Sequence, residues 1–182
     1  IPAGQNILIV GASGGVGAYA TQIAKAFGAH VTGVAGSDRA AVLQSFGVDR
    51  IIDYRRESPA AARGAYDVVL DTVGVTTWPQ MRATLKPGGL FVPLNFTGKD
   101  MFHALVARVT DTAVKLAISG DKAEDLYALT DMVSKGQLRA VIDSRWPLDQ
   151  VAEAHARVEE RHSVGTVILD VAPSADPGRA AA

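Results

Sequence analysis

Three glycines, Gly14, Gly15 and Gly17, stand between an apolar run and a helical pattern in the stretch NILIVGASGGVGAYATQIAK, Asn6 to Lys25. Glycines at this spacing remove side chains where the backbone turns sharply and where an anion must approach peptide N–H groups at a helix start. The chemistry they suit is a grip on a pyrophosphate. Against the pattern G-x-G-x-x-G the best register is Ala12, Gly14 and Gly17, with alanine at the first place. Ser13, Gly15 and Val16 complete the turn. It reads either as a dinucleotide-binding turn or as a tight strand-to-helix turn without a ligand. The context supports the former, because a strand precedes it, a helix follows, and the alternation continues.

A second group lies further on. A dinucleotide site of the NAD type places Asp or Glu after the second strand, about 20 residues past the glycines, to accept from the ribose. Here that strand ends Val34-Ala35-Gly36-Ser37, and Asp38 falls just beyond, as a helix cap. Arg39 follows, and Tyr54 with Arg55 leaves the third strand. A guanidinium and a phenol suit a 2′-phosphate, which points to NADPH (NADP); the alternative is that Arg39, Arg55 and Arg56 are ordinary solvated charges. Thr72, Val73 and Gly74 follow the fourth strand, and Asn95 with Phe96 follows the fifth, which puts their backbones beside ribose and nicotinamide. Asp71 could instead only cap its loop, and Phe96 could be core. His30, His103 and His155 read as structural, the last on the buried side of a helix, and His162 as exposed. No Ser-His-Asp order, carboxylate pair or metal-ligand spacing emerges, so neither a catalytic residue nor a metal site is assigned.

The elements that must position these residues alternate. The apolar run Asn6 to Val10 predicts a buried parallel strand, and Val16, Ala20, Ile23, Ala24 and Phe27 recur at helix spacing to face a sheet. Strands are expected at His30 to Val34, Arg50 to Asp53, Asp67 to Asp71, Leu90 to Leu94 and Ala113 to Ile118. Helices are expected at Arg39 to Phe46, capped by Ser37 or Asp38, at Trp78 to Leu85, and at Asp100 to Arg108. The stretch RESPAAARGA is a loop, and Lys86-Pro87-Gly88-Gly89 is a turn. Lys122 to Ser134 is an amphipathic helix with Leu126, Leu129 and Met132 or Val133 on one face. Pro147 starts a helix carrying Val151, Ala154 and Val158, and Thr166 to Val171 closes as a strand. The pattern predicts an α/β, Rossmann-type doubly wound, mainly parallel six-stranded sheet with helices on both faces. Residues 1–171 form the dinucleotide-binding domain, and 172–182 have the composition of a flexible tail.

Composition narrows the classes. The 182 residues are 48% hydrophobic and 20% charged, enough for one buried α/β core. Lys and Arg number 18 against 19 Asp and Glu, with no run of like charges, so nucleic-acid binding has no support. There is no cysteine, which excludes disulfides, a thiol nucleophile and Cys-ligated zinc within the chain. No run is long and apolar enough for a membrane span, and IPAGQN lacks the order of a signal peptide. A soluble cytoplasmic protein without membrane contact is expected.

Gly4, Gln5, Leu8, Ala12, Ser13, Gly14, Gly15, Gly17, Gln22 and Lys25 together resemble the signature of the quinone oxidoreductase (zeta-crystallin) branch of the medium-chain dehydrogenase/reductases. The similarity continues through FGVDRIIDYR, YDVVLDTVG, LKPGGLFV and WPLDQVAEAHARVEERHSVGTVIL, so it covers Gly4 to Val171. Ala12 matches that branch. The resemblance implies that Arg39 and Tyr54 hold a 2′-phosphate, that a β-rich substrate domain precedes this fold and is absent here, and that zinc is not required. In the intact enzyme it implies hydride transfer from NADPH to a quinone or an activated alkene or carbonyl, and a homodimer joined through the strand near Ala113 to Ile118. The chain alone is expected to bind cofactor without useful turnover. Alternatives are the cofactor domain of an alcohol dehydrogenase or enoyl reductase, and a module that binds NADPH without catalysis.

Overall fold

Alternate residues of the first strand feed two separate cores. Ile7 and Ile9 pack on one face with Ala18, Ala24 and Val31, while Leu8 and Val10 pack on the other with Val69, Trp78 and Phe91. A strand covered on both faces requires such a continuous apolar run. The computed structural model describes residues 1–116, 120, 122–160 and 163–171. Its elements run β1 (Asn6–Val10), α1 (Gly15–Ala26), β2 (His30–Ala35), α2 (Ala40–Ser45), β3 (Arg50–Asp53), β4 (Tyr66–Asp71), α3 (Trp78–Met81), β5 (Leu85–Pro93), α4 (Gly98–Ala107), β6 (Ala113–Val114), α5 (Ala123–Ser134), β7 (Ile142–Pro147), α6 (Val151–Glu159) and β8 (Thr166–Asp170).

Strands β1 to β6 form one sheet in the order β3-β2-β1-β4-β5-β6, and every pairing in it is parallel. The expected doubly wound sheet is therefore present. The chain winds outward in both directions from β1, so the order reverses between β1 and β4, where such sheets open a crevice at their carboxyl ends.

Several local expectations are corrected. Helix α1 buries Gly17, Ala18, Thr21, Gln22 and Ala24, whereas Val16 and Phe27 are 58% and 51% exposed. Small residues let the helix lie close to the sheet, so the larger ones sit at its rim. Ser37 and Asp38 give no side-chain cap; residues 37–39 form a 3-10 turn ahead of α2. Helix α3 stops at Met81, and a 3-10 turn carries the chain to Thr84. Lys86 to Gly89, expected as a turn, lie within the bounds of strand β5. Tyr66 pairs with Leu85 but Val68 already pairs with Leu90, so the extra residues bulge out, and Pro87 sits where no ladder donor is needed. Gly88, at φ 78°, donates to the carbonyl of Asp111 at 2.6 Å.

The C-terminal third departs most. Only Ala113 and Val114 of the expected sixth strand pair with β5; Lys115 and Leu116 are not strand, and 117–118 lie outside the described residues. The sequence reading passed over β7, which pairs in parallel with β8 in a separate two-stranded sheet. Pro147 ends β7 and is also the N-cap of a 3-10 turn, Leu148–Gln150, that runs into α6. Helix α6 ties to this pair through Arg157, whose Nε and Nη2 each donate to Asp143 at 2.9 Å, while Val164 N–H donates to the same carboxylate at 2.8 Å. The Arg157 bonds hold Asp143 below the usual carboxylate range against the opposing effect of burial. His155 is exposed, not buried, because Ala154 supplies the buried position of α6. Helix α5 buries none of its residues, its expected apolar face included. His162 and the tail 172–182 lie outside the described residues.

Candidate functional site

Four strands end at one edge: β1 at Val10, β2 at Ala35, β4 at Asp71 and β5 at Pro93. The glycine turn is fixed to β2 by Gly11 and Ala12 N–H groups, which both donate to the Val34 carbonyl at 3.1 and 3.2 Å. Gly14 N–H donates to the Gly11 carbonyl at 3.0 Å and closes the turn. A Cβ on Gly17 would run into that same carbonyl, so glycine there lets α1 begin directly over β1. The Ala12 methyl is fully buried, and the space above it is left by Gly33, where a Cβ would lie 3.1 Å away. Alanine at the first fingerprint position therefore sits beneath the turn and does not obstruct its outer side.

That outer side is suited to an anion. Gly14 caps α1 without any side-chain bond, no acidic residue lies in the first turn, and Gly15 and Val16 are exposed. The N–H groups of a first helical turn have no partner within the helix, and the helix end carries partial positive charge. Phosphates fit this cradle. From behind, Gly165 N–H donates to the Ser13 carbonyl at 3.2 Å, a contact that the sequence reading missed. Gly165 holds φ 76°, and a Cβ there would collide with the Val141 carbonyl, so its one legible signal was glycine itself.

The loop after β4 is locked from three sides. Asp71, fully buried, accepts N–H bonds from Val73 (2.9 Å), Gly74 (2.7 Å) and Thr76 (2.7 Å) and the Thr76 hydroxyl at 2.6 Å. Thr72 Oγ1 donates to the Val10 carbonyl at 2.8 Å, and Asn95 Nδ2 to the Val73 carbonyl at 3.1 Å. Gly11 completes the lock, because any Cβ there would strike Thr72 and Val73. Asp71 thus caps its loop, as the plainer of the two readings had it. Thr72, Val73 and Asn95 are brought beside the glycine turn, and Phe96, 39% exposed, is not core but stands at the rim.

At the end of β2 and β3, the structure gathers Gly36, Ser37, Arg39 and Tyr54 with two residues not assigned from sequence. Asp38 meets Arg39 Nε at 3.0 Å and Arg55 Nη1 at 3.1 Å. Arg55 also lies over the Tyr54 ring, 5.3 Å from its centroid. Desolvation pushes the Asp38 carboxyl up, but its own backbone N–H, the Arg55 hydrogen bond and the charges of Arg39 and Arg55 outweigh it and leave the group below the ordinary range. The His103 ring lies tilted beside Trp78, 6.0 Å between centroids. A groove of about 370 Å³ lies between α4 and β6, lined by Met101, Leu105 and Val114.

A parallel sheet wound outward from β1, with a glycine turn at its switch point, defines a doubly wound dinucleotide-binding fold. Residues 46–169 match the family described as zinc-binding dehydrogenase. The chain belongs to that family. It is 31% identical over 172 residues to the chloroplastic quinone-oxidoreductase QR1 of Triphysaria versicolor, covering 91% of this chain and 52% of that protein. It is 32% identical over 170 residues to the acryloyl-coenzyme A reductase of Metallosphaera sedula, with 91% and 51% covered. The quinone oxidoreductase structure from Coxiella burnetii superposes with a TM-score of 0.84 at 28% identity, covering 94% of this chain and 54% of that one. The resemblance read from the sequence is borne out, and the chain spans about half the length of the curated relatives it matches.

The family name raises zinc, and the residues do not fit it. The sequence holds no cysteine, and among the described residues no group of three His, Asp or Glu side chains could hold a metal ion. No helix among them is long and apolar enough to cross a membrane.

Proposed function

We propose that this chain is the cofactor-binding part of an NADPH-dependent oxidoreductase that passes a hydride to a quinone or an activated alkene or carbonyl. The start of α1, without a side-chain cap and in a glycine-rich turn, with a locked loop on one side and a guanidinium pair on the other, carries the reading. When bound, the dinucleotide supplies a hydride at nicotinamide C4. In this reading the N–H groups of Gly15, Val16 and Gly17 hold the phosphates, with Ala12, Ser13 and Gly14 forming the turn beneath. Gly36 and Ser37 border the adenosine ribose, and Arg39 and Tyr54 take the 2′-phosphate. Thr72, Val73, Asn95 and Phe96 flank the nicotinamide half, and their rigidity fixes its orientation toward an acceptor. The acceptor pocket belongs to the substrate domain that the relatives' greater length supports. We place the protein in the cytoplasm on composition alone, and infer a homodimer through the edge strand β6.

Titration of NADPH and NADH into the wild type and Arg39→Ala at fixed salt tests this. A charged hydrogen bond contributes about 1.5 to 3 kcal/mol, reduced at an exposed site, so Arg39 should give roughly tenfold preference for NADPH. The substitution should weaken NADPH by that factor and leave NADH nearly unchanged. Equal losses would assign Arg39 to the fold or to the shared phosphates. With a quinone added, NADPH oxidation by this chain alone should stay at background.

A further inference from the structure

Asp38 stands where neither simple design of an adenosine pocket would put it. It is not the strand-end acid that receives both ribose hydroxyls, because β2 ends at Ala35 and the carboxylate enters from the following 3-10 turn. Nor is it remote from the cationic side chains, since Arg39 and Arg55 converge on its two oxygens, one on each, at 3.0 and 3.1 Å. Gly36 makes this meeting possible. A Cβ there would lie 2.5 Å from Asp38 Oδ1 and 3.0 Å from Arg55 Nη1. The register Ala35 to Asp53 between β2 and β3 brings Arg55 across from Asp38.

We propose that Asp38 sets the cofactor preference of this site, by occupying the guanidinium pair that a 2′-phosphate needs and by accepting a hydrogen bond from a 2′-hydroxyl. A 2′-phosphate must displace the carboxylate and suffers its repulsion, whereas a 2′-hydroxyl meets an acceptor already in place. The residue therefore holds the NADPH preference of the wild type below the value that Arg39 and Arg55 together would give. This inference rests on the 2′-phosphate pocket proposed above. Tyr54 and Arg55 form the pocket's outer wall, and Arg55, freed from Asp38, becomes a second phosphate ligand beside Arg39.

The test is a titration of NADPH and NADH into wild type, Asp38→Asn, Asp38→Ala and Arg39→Ala at low and high salt, with the fold of each verified by circular dichroism. Asp38→Asn should tighten NADPH about fivefold at low salt, the scale of one exposed charge pair, and weaken NADH. Asp38→Ala should do the same, and the NADPH gain should shrink as salt rises. Unchanged or weaker NADPH binding in both Asp38 variants, with Arg39→Ala still losing NADPH selectively, would overturn the role of Asp38 and leave the pocket standing. Equal losses of both cofactors in Arg39→Ala would overturn the pocket, and this inference with it.

Discussion

The Asp71 carboxylate, wholly buried, accepts four hydrogen bonds from its own loop and thereby fixes the backbone beside the glycine turn. Asp71→Asn keeps the shape but turns one acceptor oxygen into a donor facing the Thr76 N–H or the Val73 and Gly74 N–H groups. The change should cost about 2 kcal/mol through unsatisfied donors, seen as a lower urea midpoint, and should weaken dinucleotide binding; an unchanged midpoint with unchanged affinity would remove Asp71 from the account. Residues of this kind differ in how legible they are. Gly14, Gly15 and Gly17 could be read directly, because their meaning lies in local spacing. Alanine at position 12 needed a distant partner, since the space for its methyl is left by Gly33. The pairing of Asp38 with Arg55 spans 17 residues and exists only because β2 and β3 are neighbours, so the sequence offered a helix cap instead.

Elements were legible where both faces are buried. The run Asn6 to Val10 declares its strand through continuous apolar residues, but β7, with the sequence IDSRWP and an intermediate or exposed pattern throughout, carries no such signal. Helix α1 was found and its face in part, since Ala20 and Ala24 meet the core, but Val16 and Phe27 were weighted over the glycine, alanine and threonine that allow close packing. Strand β6 presents a different problem. It lies at the edge of the sheet beside exposed Met101 and Leu105 of α4, and an edge strand invites pairing unless it is covered or charged. A two-fold pairing through β6 should make the chain a dimer in sedimentation at micromolar concentration. A monomer at that concentration would contradict the proposed interface.

For the whole molecule, the order β3-β2-β1-β4-β5-β6 follows from strands alternating with helices, and it places every assigned residue at one carboxyl edge. The separate β7-β8 pair was beyond such reasoning, because a parallel two-stranded sheet has no alternation of its own to announce which sheet it joins. It nevertheless reaches the site, through Gly165 against Ser13. The central claim is that a nicotinamide dinucleotide lies across this edge. Backbone amide shifts of the chain, recorded during titration with NADPH, test it most directly. They should move at Ser13 to Gly17, Gly36 to Arg39, Tyr54 and Arg55, Thr72 to Gly74, and Asn95 and Phe96, with α5 and the α4–β6 groove unaffected. Shifts confined to that groove, or none at millimolar NADPH, would contradict the claim.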